Sequence, residues 1–308
     1  ALGRNGFQFY DSEMQSSAKQ RLQVEKGLHQ AIDNNEFDLW YQPQIDAKGH
    51  MIGAEALLRW THPIKGLVYP AEFIQVAEDS GQIIEIGEWV IRKGLADLAI
   101  WIEQGIPETF LRLSINISPA QFMQVNFVDQ VISLLESFQV PGYMLELEIT
   151  ESMLIDDVDQ VISTLYKLKA LGIKLAIDDF GTGYSSLSYL QQFDTLSTLK
   201  IDRAFVIQLE NDRRSRSIMT AMINLGHSLG MDVVVEGVEH IEQLQEFTLM
   251  KGDIYQGYYL SKPVQATLWE TNWTRWRQQI DTAFSSCNSS NSLHSLNSFN
   301  CSDNGREV

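Results

Sequence analysis

Strand-like and helix-like segments alternate steadily through this chain, and no other feature of the sequence limits its fold as strongly. Short apolar runs with strand character fall near 38–46, 50–60, 111–117, 144–149, 172–178, 197–201, 232–236 and 254–260. Helical spacing of apolar residues appears near 22–32, 83–101, 120–138, 157–170, 185–192, 214–229 and 239–248. A further helix is expected to open at Pro70, a residue suited to a first helical turn. Eight strands with intervening helices predict an α/β fold, a TIM-like (β/α)8 barrel. The first two strands are joined only by a turn at Lys48-Gly49, and tight turns join antiparallel neighbours. One strand of the barrel is therefore expected to run against the rest.

Barrels of this kind carry their chemistry at the carboxyl ends of the strands. From the second strand onward, the polar residues at those positions are Glu55, Asn116, Glu148, the pair Asp178-Asp179, Lys200, Glu236 and Gln256. Ionisable groups inside apolar strand patterns are costly unless they are paired or metal-bound. A set made of carboxylates and an amide suits Mg2+ or Mn2+ rather than zinc or copper. Asp178-Asp179 read alone fits an acidic turn that caps a following helix. Set among the other strand ends, it fits a place where one carboxylate bridges two ions and its neighbour reaches the second. None of the six histidines falls at an expected strand end, and His227 and His240 read as ordinary helical residues.

The formal net charge of −17 argues against binding a nucleic-acid polymer, which calls for a basic stripe. A small anionic substrate remains compatible if bound cations turn the acidic pocket into an anion site. No run approaches the ~18–20 apolar residues of a membrane span, so no membrane contact is expected of this segment. The chain opens on Ala rather than Met and carries no signal peptide, which suggests a piece of a longer protein. Cys287 and Cys301 both lie in a tail rich in Ser and Asn, so no disulfide framework is implied and a cytoplasmic setting is expected. That tail, 280–308, has too few apolar residues to offset its ordering entropy and is expected to be disordered.

The motifs themselves resemble a known family. Glu55-Ala56-Leu57-Leu58-Arg59 is similar to the signature of bacterial EAL domains, the phosphodiesterases specific for cyclic di-GMP. The resemblance extends through Tyr41-Gln42-Pro43, Asn116-Ile117-Ser118, Glu146 to Glu151, Asp178 to Gly183, Lys200-Ile201-Asp202, Glu236 to Glu239 and Gln256-Gly257-Tyr258. It implies a barrel over 25–279 that hydrolyses cyclic di-GMP to linear pGpG. Two Mg2+ or Mn2+ ions would be held by Glu55, Asn116, Glu148, Asp178, Asp179 and Glu236, with Asp178 bridging. Lys200 would hold the attacking water, and Gln256 would help to position water or substrate. Gln42 and Arg59 would contact the substrate, and Glu151 would anchor the Asp179–Tyr184 loop. The resemblance further implies a homodimer. Residues 1–24, with Gly3-Arg4-Asn5, look like the end of an upstream GGDEF domain followed by a linker. The competing expectation is a non-catalytic cyclic-di-GMP receptor, and an unrelated metal-dependent barrel enzyme is a third. The sequence departs from the family pattern in a slightly long stretch before Lys200 and in Lys251-Gly252-Asp253, where Gly-Cys-Asp is commoner.

Overall fold

A computed structural model describes residues 12–154, 158–181, 193–208 and 213–269. The expected helix at 185–192, the loop from Thr182 to Tyr184, residues 1–11 and the segment from 270 through the tail lie outside them.

Among the described residues, ten strands form one sheet: β1 (Phe37–Asp46), β2 (Met51–His62), β3 (Gly66–Val68), β4 (Arg112–Asn116), β5 (Leu145–Thr150), β6 (Lys174–Phe180), β7 (Thr198–Ile201), β8 (Asp232–Val235), β9 (Ile254–Tyr255) and β10 (Val264–Gln265). Eight of them close a barrel in the order β1-β9-β8-β7-β6-β5-β4-β2, with β2 pairing back onto β1. β3 and β10 are short additions to β2 and β1. β1 is antiparallel to both its barrel neighbours, while the other barrel pairs are parallel. The expected lone antiparallel strand is present, and its cause is local. In the turn after β1, the Asp46 carboxylate accepts from the N–H groups of Lys48 and His50, and Gly49 takes a φ of 86° that favours glycine.

The helices pack outside the barrel. They are α1 (Ser12–Ala31), α2 (Ile74–Ser80), α3 (Ile83–Glu103), α4 (Pro119–Phe122), α5 (Phe127–Phe138), α6 (Val158–Ala170), α7 (Arg203–Gln208), α8 (Arg213–Ser228) and α9 (Ile241–Leu249). Alternation along each strand sorts the two faces. Leu113, Ile115, Leu145, Leu147, Ile149, Leu175, Ile177, Leu199, Ile201, Val233 and Val235 share one cluster with helical residues such as Leu98, Leu134, Leu165, Ile223 and Phe247. The intervening residues fill a largely polar interior, with Ile52, Val234 and Ile254 as a small separate apolar patch.

Several boundaries differ from expectation. α1 begins at Ser12, so part of the expected linker is helical, and its buried face is Val24, Leu28 and Ala31 while Leu22 is exposed. Residues 12–26 contain no Gly or Pro to stop it. The expected helix at 120–138 is two, with Ser118 capping the first through Gln121 N–H. β9 ends at Tyr255 rather than near 260, because the chain turns there, with the N–H groups of Leu260 and Ser261 donating to the Gly257 carbonyl. His62 does end a strand, but its Nδ1 accepts from the N–H groups of Ile64 and Lys65 and serves the turn.

Candidate active site

The interior polar residues stack in two layers. In the lower layer, Glu146 is fully buried; its oxygens accept from Thr198 Oγ1 at 2.6 Å and Ser114 Oγ at 2.7 Å, and the Arg112 guanidinium forms an ion pair with it, Nε at 2.9 Å. Ser114, Glu146 and Thr198 each stand two residues before Asn116, Glu148 and Lys200, so the same strand faces carry the upper layer one pleat nearer the mouth.

The upper layer gathers around Lys200, which is completely buried. Its Nζ lies 2.6 Å from Glu148 Oε2, 2.7 Å from Glu236 Oε1, 3.3 Å from Asp178 Oδ1 and 3.7 Å from Glu55 Oε1. Asn116 Nδ2 donates to Glu55 Oε1 at 2.7 Å, and Gln256 Nε2 donates to Glu55 Oε2 at 2.5 Å. Gln256 also donates to Gln42 Oε1 at 3.2 Å and accepts from Gln44 Nε2 at 3.1 Å. Gln42 is turned to the Ser261 carbonyl, at 3.0 Å. Gln44 was not singled out from sequence, although it stands two residues from Gln42 on the same strand face.

One ammonium serves four carboxylates, and the electrostatics follow. Burial works against the charge of Lys200, but Asp178, Glu148, Glu236 and Glu55 outweigh it and hold the ammonium well above its ordinary pKa. Burial pushes Glu148 well above the carboxylate range against the pull of Lys200. Glu236 is pushed up to about 8, by burial and then by Asp178 and Glu55. The cluster is short of positive charge and takes up protons to compensate.

The aspartate pair sits on a break in the sheet. The register between β6 and β7 shifts between Ile177 and Phe180, and Asp179 adopts a left-handed φ of 54°. This bulge turns the two carboxylates apart. Asp178 is half-buried against Lys200, while Asp179 stands exposed at the rim, its pKa raised by partial burial and then by Asp178 and Asp202. The strand thus satisfies by a bulge what simple alternation forbids. Gly181 follows with a φ of 91°, and its N–H donates to Glu151 Oε2 at 3.2 Å. A Cβ at Gly181 would meet Met222 Cε at 2.8 Å.

Arg59 lies two pleats beyond Glu55 on the same face of β2, and its guanidinium packs against the rings of Trp40 and Tyr69. A cavity of roughly 340 Å3 opens beside Asn116, walled mainly by apolar side chains such as Leu57, Ile74 and Val90, with Glu78 as its charged group. Burial and then Asp79 raise the pKa of Glu78. Nothing in the sequence pattern marked Glu78, which lies on a helix rather than at a strand end.

The described side chains fit a hard divalent cation in their chemistry. The donors are all oxygen, their negative charge exceeds what Lys200 neutralises, and Glu148 Oε1 is buried without a hydrogen-bond partner. Among the described residues, no three acidic, His or Cys side chains already converge as a metal cage, because the ammonium stands at their centre.

The model of the EAL domain family matches residues 25–263. The chain belongs to the EAL-domain family. It is 39% identical over 265 residues to the bifunctional diguanylate cyclase/cyclic di-GMP phosphodiesterase MucR of Pseudomonas aeruginosa, covering 86% of this chain and 38% of that protein. The cyclic di-GMP phosphodiesterase NbdA of the same organism is 38% identical, with 86% of this chain and 34% of that protein covered. The chain thus spans little more than a third of the length of these relatives. Among solved structures, the MucR phosphodiesterase in complex with c-di-GMP aligns with a TM-score of 0.76 at 38% identity, covering 80% of this chain and 98% of that one. The FimX EAL domain of Pseudomonas aeruginosa bound to c-di-GMP aligns at 0.71 with 27% identity, covering 79% and 96%. No helix among the described residues of this EAL domain is long and apolar enough to cross a membrane.

Proposed function

We propose that this EAL domain hydrolyses cyclic di-GMP to linear 5'-pGpG. The observation that carries the reading is the convergence of Glu55, Glu148, Asp178 and Glu236 on the buried Lys200 at the mouth of the barrel. Family membership and the names of the relatives supply the substrate. Water adds to one phosphorus, the P–O3' bond breaks, and the 3'-oxygen leaves with a proton.

Glu55, Asn116, Glu148, Asp178, Asp179 and Glu236 would hold two Mg2+ or Mn2+ ions, with Asp178 shared. Such ions supply acidified water and charge stabilisation for an in-line displacement. Lys200, held cationic, orients the water and stabilises the charge that grows on the phosphoryl oxygens. Asn116 and Gln256 fix both oxygens of Glu55. Gln256 therefore acts on the carboxylate more directly than on substrate, and Gln42 sets its orientation. Glu151 holds the start of the loop after Asp179 through Gly181, which fits an anchoring role. The cavity beside Asn116 would take a base, and a carboxylate there, Glu78, would accept from the N–H edge of guanine. A cytoplasmic location, a homodimer and an upstream GGDEF domain in the parent chain belong to the same reading.

Chromatography of cyclic di-GMP incubated with the purified domain tests the proposal. Wild type should yield pGpG in Mg2+ or Mn2+ and none in excess EDTA, and Asp178→Ala should yield none in either. Binding of the dinucleotide without turnover in excess metal would point instead to a non-catalytic receptor.

A further inference from the structure

Arg59 is an anomaly in an acidic molecule. It is only 6% exposed, yet no ion pair joins it to any carboxylate among the described residues. Its Nη1 donates to the Leu58 carbonyl at 2.9 Å, and its Nε is buried without a hydrogen-bond partner. A buried guanidinium normally acquires a carboxylate, because an unpaired charge away from water is costly. Here Glu55 stands on the same strand face two pleats below, and it bonds Asn116 and Gln256 instead.

What holds Arg59 away is aromatic. Its Cζ lies 5.3 Å from the ring centre of Tyr69 and 5.7 Å from that of Trp40, both within cation–π range. Trp40 comes from the adjacent β1, where Asp38 and Leu39 pair with Arg59 and Leu58. Tyr69 comes from the segment after β3, immediately before Pro70, which fixes its backbone as extended. Tyr69 is half-exposed and so closes the outer side of the clamp.

We infer that Tyr69 is a positioning residue for substrate binding: with Trp40 it clamps the Arg59 guanidinium clear of the acidic cluster and reserves it for the phosphodiester that is not cut. Cyclic di-GMP carries two phosphodiesters, and hydrolysis needs the machinery around Lys200 at only one. The second keeps its charge throughout and requires a fixed cation that the carboxylates have not neutralised. Burial lowers the pKa of Arg59, and Tyr69, Tyr258 and Glu55 offset that only in part. The inference rests on the proposed substrate.

The test is calorimetric titration of cyclic di-GMP into metal-free protein, so that no turnover intervenes. Tyr69→Ala should raise Kd by about threefold to thirtyfold, the range of a partly to fully desolvated cation–π contact. Tyr69→Phe, which keeps the ring, should stay within about twofold of wild type on the same grounds. In an Arg59→Ala background, Tyr69→Ala should add nothing further, because its effect passes through the guanidinium. Tyr69 is half-exposed, so these variants are expected to fold, and unchanged unfolding temperatures would verify it. An unaltered Kd in Tyr69→Ala would overturn the inference, as would an undiminished penalty without Arg59 or wild type that binds no dinucleotide. Wild type that binds with this pattern but makes no pGpG in metal would sink the proposed hydrolysis and leave the clamp standing.

Discussion

Replacing Lys200 by Met should separate its electrostatic role in the fold from any role in turnover. The substitution keeps the length of the side chain and removes the only ammonium that, among the described residues, lies within 4 Å of Glu55, Glu148, Asp178 and Glu236. Removing one partner of a buried ion pair costs about 3–5 kcal/mol, because the other charge stays buried alone. Two contacts here are 2.6 and 2.7 Å, and both Lys200 and Glu148 are fully buried, so the upper end of that range applies. For a domain of this size each kcal/mol moves Tm by about 2–4 °C, which predicts a loss of about 10–20 °C in EDTA at pH 8.5.

The loss should shrink on acidification. Glu236 has its pKa raised from the ordinary 4.5 to about 8, so it takes up a proton on folding across that interval. A group of this sign stabilises the fold at low pH and loses that contribution as pH rises from about 4.5 through about 8. At pH 5.5 the cluster therefore neutralises itself with protons, and the absent ammonium matters less. The raised pKa of Lys200 keeps its own contribution constant over this range. Thermal unfolding followed by circular dichroism at both pH values measures the difference. Equal Tm losses at pH 5.5 and 8.5, or no loss at all in EDTA, would refute the view of Lys200 as the counter-ion of the cluster.

Three further outcomes follow from local geometry. Lys251→Gly should stabilise the domain by about 0.5–1 kcal/mol in urea unfolding, since Lys251 holds a left-handed φ of 66° just beyond α9, where Gly is unstrained. Gly257→Ala should destabilise by more than about 3 kcal/mol, because its Cβ would lie 2.1–2.7 Å from backbone atoms of Val238 that cannot swing aside. The proposed divalent ions compete with protons for Glu236, so Mn2+ affinity measured by calorimetry should rise steeply between pH 6.5 and about 8 and level off above.

The barrel was legible because two signals coincide in it. The outward residues of each strand are apolar, and the residue where the strand ends is polar, so Asn116, Glu148, Lys200 and Glu236 could be aligned from spacing alone. β3 and β10, three and two residues long, are too short to carry a period. The start of α1 was hidden for the opposite reason: its first turns are polar, and helical propensity without an apolar stripe leaves no pattern to read. Glu78 and Tyr69 reach the mouth from a helix and a loop, so the strand-end rule that found the others passed over them. The bulge at Asp178-Asp179 was foreseeable only as a conflict, since two adjacent carboxylates cannot share one face of a regular strand.

The two polar layers explain how the fold tolerates a site so short of positive charge. In the lower layer Glu146 receives two hydroxyls and a guanidinium, so its burial is compensated within the protein. One pleat higher, β5 and β7 carry Glu148 and Lys200, and β2, β6 and the end of β8 add Glu55, Asp178 and Glu236, so four carboxylates face one ammonium and the deficit is met by protons. Each of these strands is hydrogen-bonded to a neighbour on both sides in the closed barrel, which limits how far it can splay to relieve repulsion above. The barrel therefore holds Glu55, Glu148, Asp178 and Glu236 together at a separation that they would not choose in water. That stored repulsion is what a bound cation would release, and it makes the upper layer, rather than the better-satisfied lower one, the place where binding energy can be gained.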